Sequence, residues 1–224
     1  GGTKGFIKSL QSVCRTINPD VIFVAWDGGS QRRKSMDKNY KAGRKPVRLN
    51  RDIHNMTAGE QEDNKNWQQE RIIEYLNEMP ILQSYVENVE ADDIIALVSQ
   101  SQALSDHHKI ILSSDKDFIQ LCDDTTILYR PIQKEILNKK RVLEQFQIHP
   151  TNFALARAIA GDKSDNLPGI GGAGLATVSK RFPFLSEGKP YTIQELVDYA
   201  EGVESKLKVF KNIVEKKDII AKNY

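Results

Sequence analysis

Three carboxylates stand within four residues at Glu90-Ala91-Asp92-Asp93, and two more flank a lysine in Ser114-Asp115-Lys116-Asp117. Ionised acids are almost never buried unpaired, so neither cluster can serve a hydrophobic core. Both are nevertheless set among apolar segments: Ile94 to Val98 follows the first and Ile110-Ile111-Leu112 precedes the second. Acids this dense at the ends of core elements repel one another unless a cation sits among them. Oxygen-only ligation suits Mg²⁺ or Mn²⁺, and the chemistry this points to is metal-dependent phosphoryl transfer.

The charge distribution supports an anionic substrate. From Arg32 to Arg51 nine Lys/Arg face a single acid, Asp37, whereas nine acids between Ser84 and Asp124 face only Lys109 and Lys116. A basic segment for phosphates beside an acidic pocket for metal is what a polyanion-binding enzyme needs; a solvated charged face is the alternative for the basic run alone. No run approaches the roughly 18 apolar residues of a membrane span, and the N-terminus lacks a signal-peptide core. Cys14 and Cys122 lie far apart without zinc-like spacing, which fits ordinary core thiols in a reducing cytoplasm.

These residues need elements to position them. Phe6, Leu10, Val13, Cys14 and Ile17 recur at helical spacing between Thr3 and Ile17. Val21 to Trp26 is a continuous apolar run, as expected of a buried parallel strand, and it delivers Asp27-Gly28 to a strand's carboxyl end. The stretch 31–51 has no clear apolar period and reads as only partly helical. A polar helix follows over Glu60–Met79, rejoining the body in its last turns, then a short strand at 81–87. Asp92 and Asp93 open a helix running to about Leu104, where plain N-capping is an alternative role for one of them. A strand at 109–113 leads into the second acid cluster and a short helix through Leu121. Thr125–Tyr129 and Lys134–Leu137 look like edge strands, and beyond Arg141 all is helical, with Thr151 capping a helix to Ala160. The expected fold is α/β, a mostly parallel doubly wound sheet flanked by helices, with a core over 1–140 and a helical part over 141–224.

Gly169-Ile170-Gly171-Gly172-Ala173-Gly174 formally satisfies G-x-G-x-x-G, but it follows a helix and a polar loop, so a dinucleotide site is excluded. Bare backbone N–H groups in such a turn, at the start of the helix Leu175–Phe182, can approach a DNA phosphate.

Taken in order, Glu90-Ala91-Asp92-Asp93, Ser114-Asp115-Lys116-Asp117 and Gly161-Asp162-Lys163-Ser164-Asp165-Asn166-Leu167-Pro168-Gly169 closely resemble the structure-specific 5′-nuclease family of flap endonucleases and 5′–3′ exonucleases. Trp26-Asp27-Gly28 resembles its strand-end F-D-G, and Tyr40-Lys41-Ala42-Gly43-Arg44 its Y-K-x-x-R. The resemblance runs from about Thr3 to about Phe182 and implies a stand-alone bacterial or phage type. It places Asp27, Glu90 and Asp92 at one metal site and Asp115, Asp117 and Asp162 at a second, with Asp93 and Asp165 completing the ring. Lys41 and Arg44 would reach the scissile phosphate. A helical arch or clamp over residues 32–75 would pass a 5′ single strand, with Arg32, Arg33, Lys34, Tyr40, Arg48 and Arg51 on the DNA. Gly172, Gly174, Thr177 and Lys180 would form a helix-hairpin-helix-like grip on the duplex, with a K⁺ ion there.

By the same resemblance the cofactor is a pair of Mg²⁺ ions, with Mn²⁺ able to substitute. The partner is DNA carrying a 5′ flap or 5′ end, and the setting is replication or repair in the cytoplasm by a monomer. Two departures stand out. The family's first metal Asp lies on a strand before the helix at Thr3, so a preceding strand ending in Asp-Gly is expected ahead of Gly1. Ala176 and Ala173 replace the Lys and Ile usual in the glycine turn. A PIN-type ribonuclease and a non-catalytic DNA-junction scaffold of the same fold are the rival readings.

Overall fold

The structure is a computed structural model that describes residues 2–42 and 56–224. In chain order it contains α1 (Gly2–Ile17), β1 (Ile22–Trp26), α2 (Gln31–Met36), α3 (Ala58–Asn77), β2 (Ile81–Tyr85) and α4 (Ala91–Ser99). Next come β3 (Lys109–Leu112), β4 (Thr126–Arg130), β5 (Glu135–Leu137), α5 (Lys139–Phe146) and α6 (Phe153–Ala160). Four further helices close the chain: α7 (Leu175–Arg181), α8 (Ile193–Gly202), α9 (Lys208–Glu215) and α10 (Lys217–Asn223). Of the described residues, 2–29 and 56–91 form one compact unit, and 30–42 and 92–224 form a second.

In the first unit β1 and β2 pair in parallel from Ile22↔Ile81 to Trp26↔Tyr85. The apolar stripe of α1 (Phe6, Leu10, Val13, Cys14, Ile17) is its half-buried face, as the helical period requires. α3 begins at a capping box in which the Thr57 hydroxyl and the Glu60 carboxylate each accept from the other's backbone N–H. Midway along α3, the Gln68 side chain accepts from the N–H of Gly2 at 2.6 Å and of Thr3 at 3.3 Å. Leu76, in the last turn, is fully buried. The continuous apolar run predicted a fully buried β1; its five residues are instead all half-buried, because among the described residues β2 is the one strand that flanks it.

The second unit holds a three-stranded sheet of order β3-β4-β5, parallel between β3 and β4 and antiparallel between β4 and β5. β4 was expected at an edge and proves to be the central strand. Its Thr126, Leu128 and Arg130 are buried in alternation, so two polar residues of this strand are interior. The predicted helix from Asp92 to Leu104 also breaks, at Gln100. The Ser99 hydroxyl donates back to the Ala96 carbonyl, and Ser101 starts a separate 3₁₀ turn over Gln102–Leu104 by accepting from Ala103 N–H. Behind the sheet one apolar core joins Phe118, Ile119 and Leu128 to α6, α8, α9 and α10. Asn152 is a polar exception: buried before α6, its amide donates to the Leu185, Glu187 and Lys189 carbonyls and accepts from Tyr191 N–H. It fastens that loop rather than capping α6, and Thr151, expected as the cap, lies inside a 3₁₀ turn.

Candidate functional site

In the first unit Asp27 leaves the end of β1, and its Oδ1 accepts from Gly29 N–H at 2.8 Å. Gly28 is laced to the turn after β2: its N–H donates to Val89 O at 2.9 Å and its carbonyl accepts from Asn88 N–H at 2.9 Å. A Cβ on Gly28 would lie 1.8 Å from Val86 O, so only glycine permits this approach. The lacing brings the backbone of Asp27 beside that of Glu90, a residue only 4% exposed.

The second unit holds the other acids. Asp115 and Asp117 lie where β3 gives way to the 3₁₀ turn Asp117–Leu121. The Ser113 hydroxyl accepts from Asp115 N–H at 3.1 Å, and Asp115 Oδ1 accepts from Asp117 N–H at 2.9 Å. Arg130 supports this loop from β4, pairing with Glu135 at 2.6 Å while Nη2 donates to the Ser114 carbonyl at 3.3 Å. Asp162 begins the loop after α6, closed by a reciprocal backbone pair with Leu167 at 2.9 and 2.8 Å. Gly161, at φ +74°, and Gly169 let its two arms touch: a Cβ on Gly169 would stand 2.0 Å from Ala160 O.

Arg157, in the last turn of α6, joins the two acid loops. Its Nε donates to Asp117 Oδ1 at 3.0 Å and its Nη2 to Asp162 Oδ2. The other Asp162 oxygen accepts from Ser164 N–H at 2.7 Å and Ser164 Oγ at 2.5 Å. Burial pushes the Asp117 carboxyl up; Arg157 opposes this, and the neighbouring Asp115 and Asp162 charges add to it. At Asp162 burial also acts upward but is outweighed by the Ser164 and Arg157 hydrogen bonds, which hold the carboxyl below the ordinary aspartate value. Asp117 and Asp162 therefore share one cation, with Asp115 close enough to be felt. Among the described residues no three His, Cys, Asp or Glu side chains converge closely enough, as they stand, to hold a metal ion.

The remaining expected residues divide. Asp93, in the first turn of α4, pairs with Arg33 of α2 at 2.7 Å, so an expected metal ligand meets an expected DNA contact. Asp92 occupies the same exposed first turn. Arg32 and Lys34 are exposed on α2. Lys41, at φ +54°, donates its N–H to the Asp165 carbonyl at 3.1 Å and stands 5.1 Å from the Tyr40 ring centroid. Asn166 completes that junction, donating to Ala42 O at 2.5 Å and Asn39 O at 3.2 Å. The base of the basic segment is thus tied to the acid loop. Arg44, Arg48 and Arg51 lie outside the described residues. In the glycine turn Gly172 has φ +80°, and a side chain on Gly171, Gly172 or Gly174 would meet open space. Thr177 donates its N–H to Gly174 O at 2.8 Å, and Lys180 is exposed on α7.

Residues 1–147 match the family described as 5′–3′ exonuclease, N-terminal resolvase-like domain. The chain belongs to the 5′–3′ exonuclease family. Among curated members of this 5′-nuclease group it is 27% identical over 180 residues to a 5′–3′ exonuclease of Buchnera aphidicola, covering 79% of this chain and 58% of that one. It is 29% identical over 161 residues to flap endonuclease Xni of a Shewanella strain, covering 71% and 56%. With DNA polymerase I of Streptococcus pneumoniae it shares 30% identity over 201 residues, 87% of this chain and 21% of the polymerase. The chain spans little more than half the length of the stand-alone curated relatives it matches. In fold it is similar to T5 5′-exonuclease with divalent zinc ions bound, at a TM-score of 0.70 and 19% identity over 99% of this chain and 79% of that one. A T5 protein co-crystallised with metal ions superposes at a TM-score of 0.77 with 18% identity, over 99% and 80% of the two chains.

Sequence reading missed Arg157, Arg130 and the bridging role of Asn166. The single usable signal was Arg157 itself, one cation in the otherwise apolar run Phe153–Ala160, five residues before Asp162.

Proposed function

We propose that this chain carries a metal-dependent nuclease site that cleaves phosphodiesters in DNA with a 5′ flap or 5′ end. The observation that carries the reading is the meeting of Asp117 and Asp162 on one cationic group, with the base of the basic segment hydrogen-bonded to the adjoining Asp165–Asn166 backbone. A donor set made of carboxylate oxygens matches Mg²⁺ or Mn²⁺. Asp115, Asp117 and Asp162 would hold one ion, and Asp27 and Glu90 belong to the set for the other.

When bound, such a metal pair supplies Lewis-acid polarisation of the scissile phosphate and a water of lowered pKa. The chain's own residues then do the positioning. Ser164 fixes the Asp162 rotamer, Ser113 holds the backbone at Asp115, and Arg130 holds the Ser114 carbonyl. Lys41, oriented through Asp165 and Asn166, offers its ammonium to the charge that develops on the phosphate, and Arg44 is assigned the same task. Arg32, Lys34, Arg48 and Arg51 supply salt-dependent phosphate contacts. The open turn Gly171–Gly174, with Thr177 and Lys180, is assigned to the downstream duplex and, by family resemblance, to a K⁺ ion. Action as a monomer in cytoplasmic replication or repair completes the reading.

Cleavage of a 5′-flap DNA duplex and of single-stranded RNA, each with Mg²⁺ and with EDTA, tests it. Mg²⁺-dependent release of the flap is the expected result. RNA cleavage alone would favour the ribonuclease reading, and tight flap binding without cleavage would favour the scaffold.

A further inference from the structure

A guanidinium placed between two acids of a metal site has consequences for the metal itself. Both Asp162 oxygens are engaged: Oδ1 by the Ser164 N–H and hydroxyl, Oδ2 by Arg157 Nη2. The same Arg157 edge donates through Nε to Asp117 Oδ1 at 3.0 Å. The arginine and Asp162 side chains are only 20% and 21% exposed, so water screens this pair poorly. Arg157 is anchored from behind, since its carbonyl accepts the Gly161 N–H at 2.8 Å in the last turn of a helix whose Phe153, Leu155, Ala156, Ala158 and Ile159 line the apolar core. A charge-assisted hydrogen bond of this kind is roughly twice as strong as a neutral one. A divalent cation ligated by Asp162 Oδ2 and Asp117 needs those oxygens at about 2.1 Å from itself, in the space that the guanidinium edge fills.

We propose that Arg157 competes with the divalent cation for Asp117 and Asp162, holding the two carboxylates together and giving up Asp162 Oδ2 as the metal binds. Arg157 is then a positioning residue with two opposed effects. It keeps the acid loops in register, and it weakens metal binding by the strength of the ion pair that must open. The inference rests on the metal site proposed above and goes beyond it by assigning a residue that tunes its affinity.

Mn²⁺ titration of the full chain without DNA, followed by the electron paramagnetic resonance of free Mn²⁺, tests this. Arg157→Gln removes the competing charge and should bind Mn²⁺ about ten-fold tighter than wild type at one site, an energy in the range of a single charge-assisted hydrogen bond. Its melting temperature should fall in EDTA, where Asp117 and Asp162 repel, and recover with Mn²⁺. Arg157→Lys keeps the charge but cannot hold both carboxylates along one edge. It should lie between the two, and it carries the test if Arg157→Gln does not fold in EDTA. A merely structural arginine would give the opposite sign, with variants binding metal more weakly. Equal or weaker Mn²⁺ binding by both variants, with normal binding by wild type, overturns the competition alone. Asp162→Asn binding Mn²⁺ as wild type does would overturn the metal site and the inference together.

Discussion

Asn166 is one residue that ties the base of the basic segment to the acid loop, and replacing it tests the junction separately from the acid chemistry. Its Nδ2 donates to Ala42 O at 2.5 Å and to Asn39 O at 3.2 Å, beside the Lys41 N–H to Asp165 O bond at 3.1 Å. The amide is exposed, so each bond contributes at the low end of about 0.5–1.5 kcal/mol, and the pair about 1 kcal/mol. Asn166 also sits at φ +59°, where asparagine is tolerated and alanine costs roughly 1 kcal/mol more. Asn166→Gly therefore deletes only the side-chain bonds, whereas Asn166→Ala adds backbone strain. Since ~1.4 kcal/mol is ten-fold in an equilibrium, the glycine variant should lose about five-fold in protection of the Lys41 amide, and the alanine variant more. Hydrogen exchange at Lys41 reads this directly. Single-turnover cleavage of a 5′-flap duplex should fall in the same order, with DNA affinity changing little. Unaltered Lys41 exchange in both variants would refute the coupling, whatever the cleavage rates.

Asp115→Asn should abolish Mg²⁺-dependent cleavage while leaving flap-DNA binding nearly intact, as measured by single-turnover kinetics and fluorescence anisotropy; retained activity would sink the metal assignment. Lys41→Ala should slow the chemical step by about 10²-fold, comparable to loss of one preorganised charge stabiliser. Arg48→Ala should instead weaken binding and lower its salt dependence by about one phosphate contact, so equal cleavage rates for the two would refute the division of labour. Gly169→Ala forces a Cβ to within 2.0 Å of Ala160 O and should cost about 2–3 kcal/mol by urea unfolding, through displacement of the Asp162 loop. The Cys122 thiol, 3% exposed, is pushed by burial from the ordinary 9.0 to about 11. A raised folded value means its contribution is whole below pH 9 and is lost as pH rises toward 11. The stability gap between wild type and Cys122→Ala should accordingly narrow over that window in urea titrations at successive pH values.

Local chemistry was legible before any coordinates. The half-buried stripe of α1, the strand run Ile22–Trp26, the acids in the first turn of α4 and the glycines flanking the Asp162 loop all follow from period, branching and backbone freedom. These are properties of residues within a few positions of one another, and the ordered acid motifs made the family recognisable. Placement across long separations was not legible. β4 was expected at an edge and is central, and Arg130 at its end is interior because its charge finds Glu135 and the Ser114 carbonyl there. Arg157 looks like a stray cation in an apolar helix until Asp117, forty residues earlier, is seen beside it. A carboxylate's partner is chosen by whichever opposite charge the fold brings within about 3 Å, and the Coulomb and hydrogen-bond energies that decide it depend on distance, angle and burial. The sequence by itself therefore determined which residues could ligate and bind phosphate. Only tertiary structure decided that Asp117 and Asp162 meet on Arg157, that Asp93 turns to Arg33, and that Asn166 ties the basic segment to the acid loop, because those contacts join loops far apart along the chain.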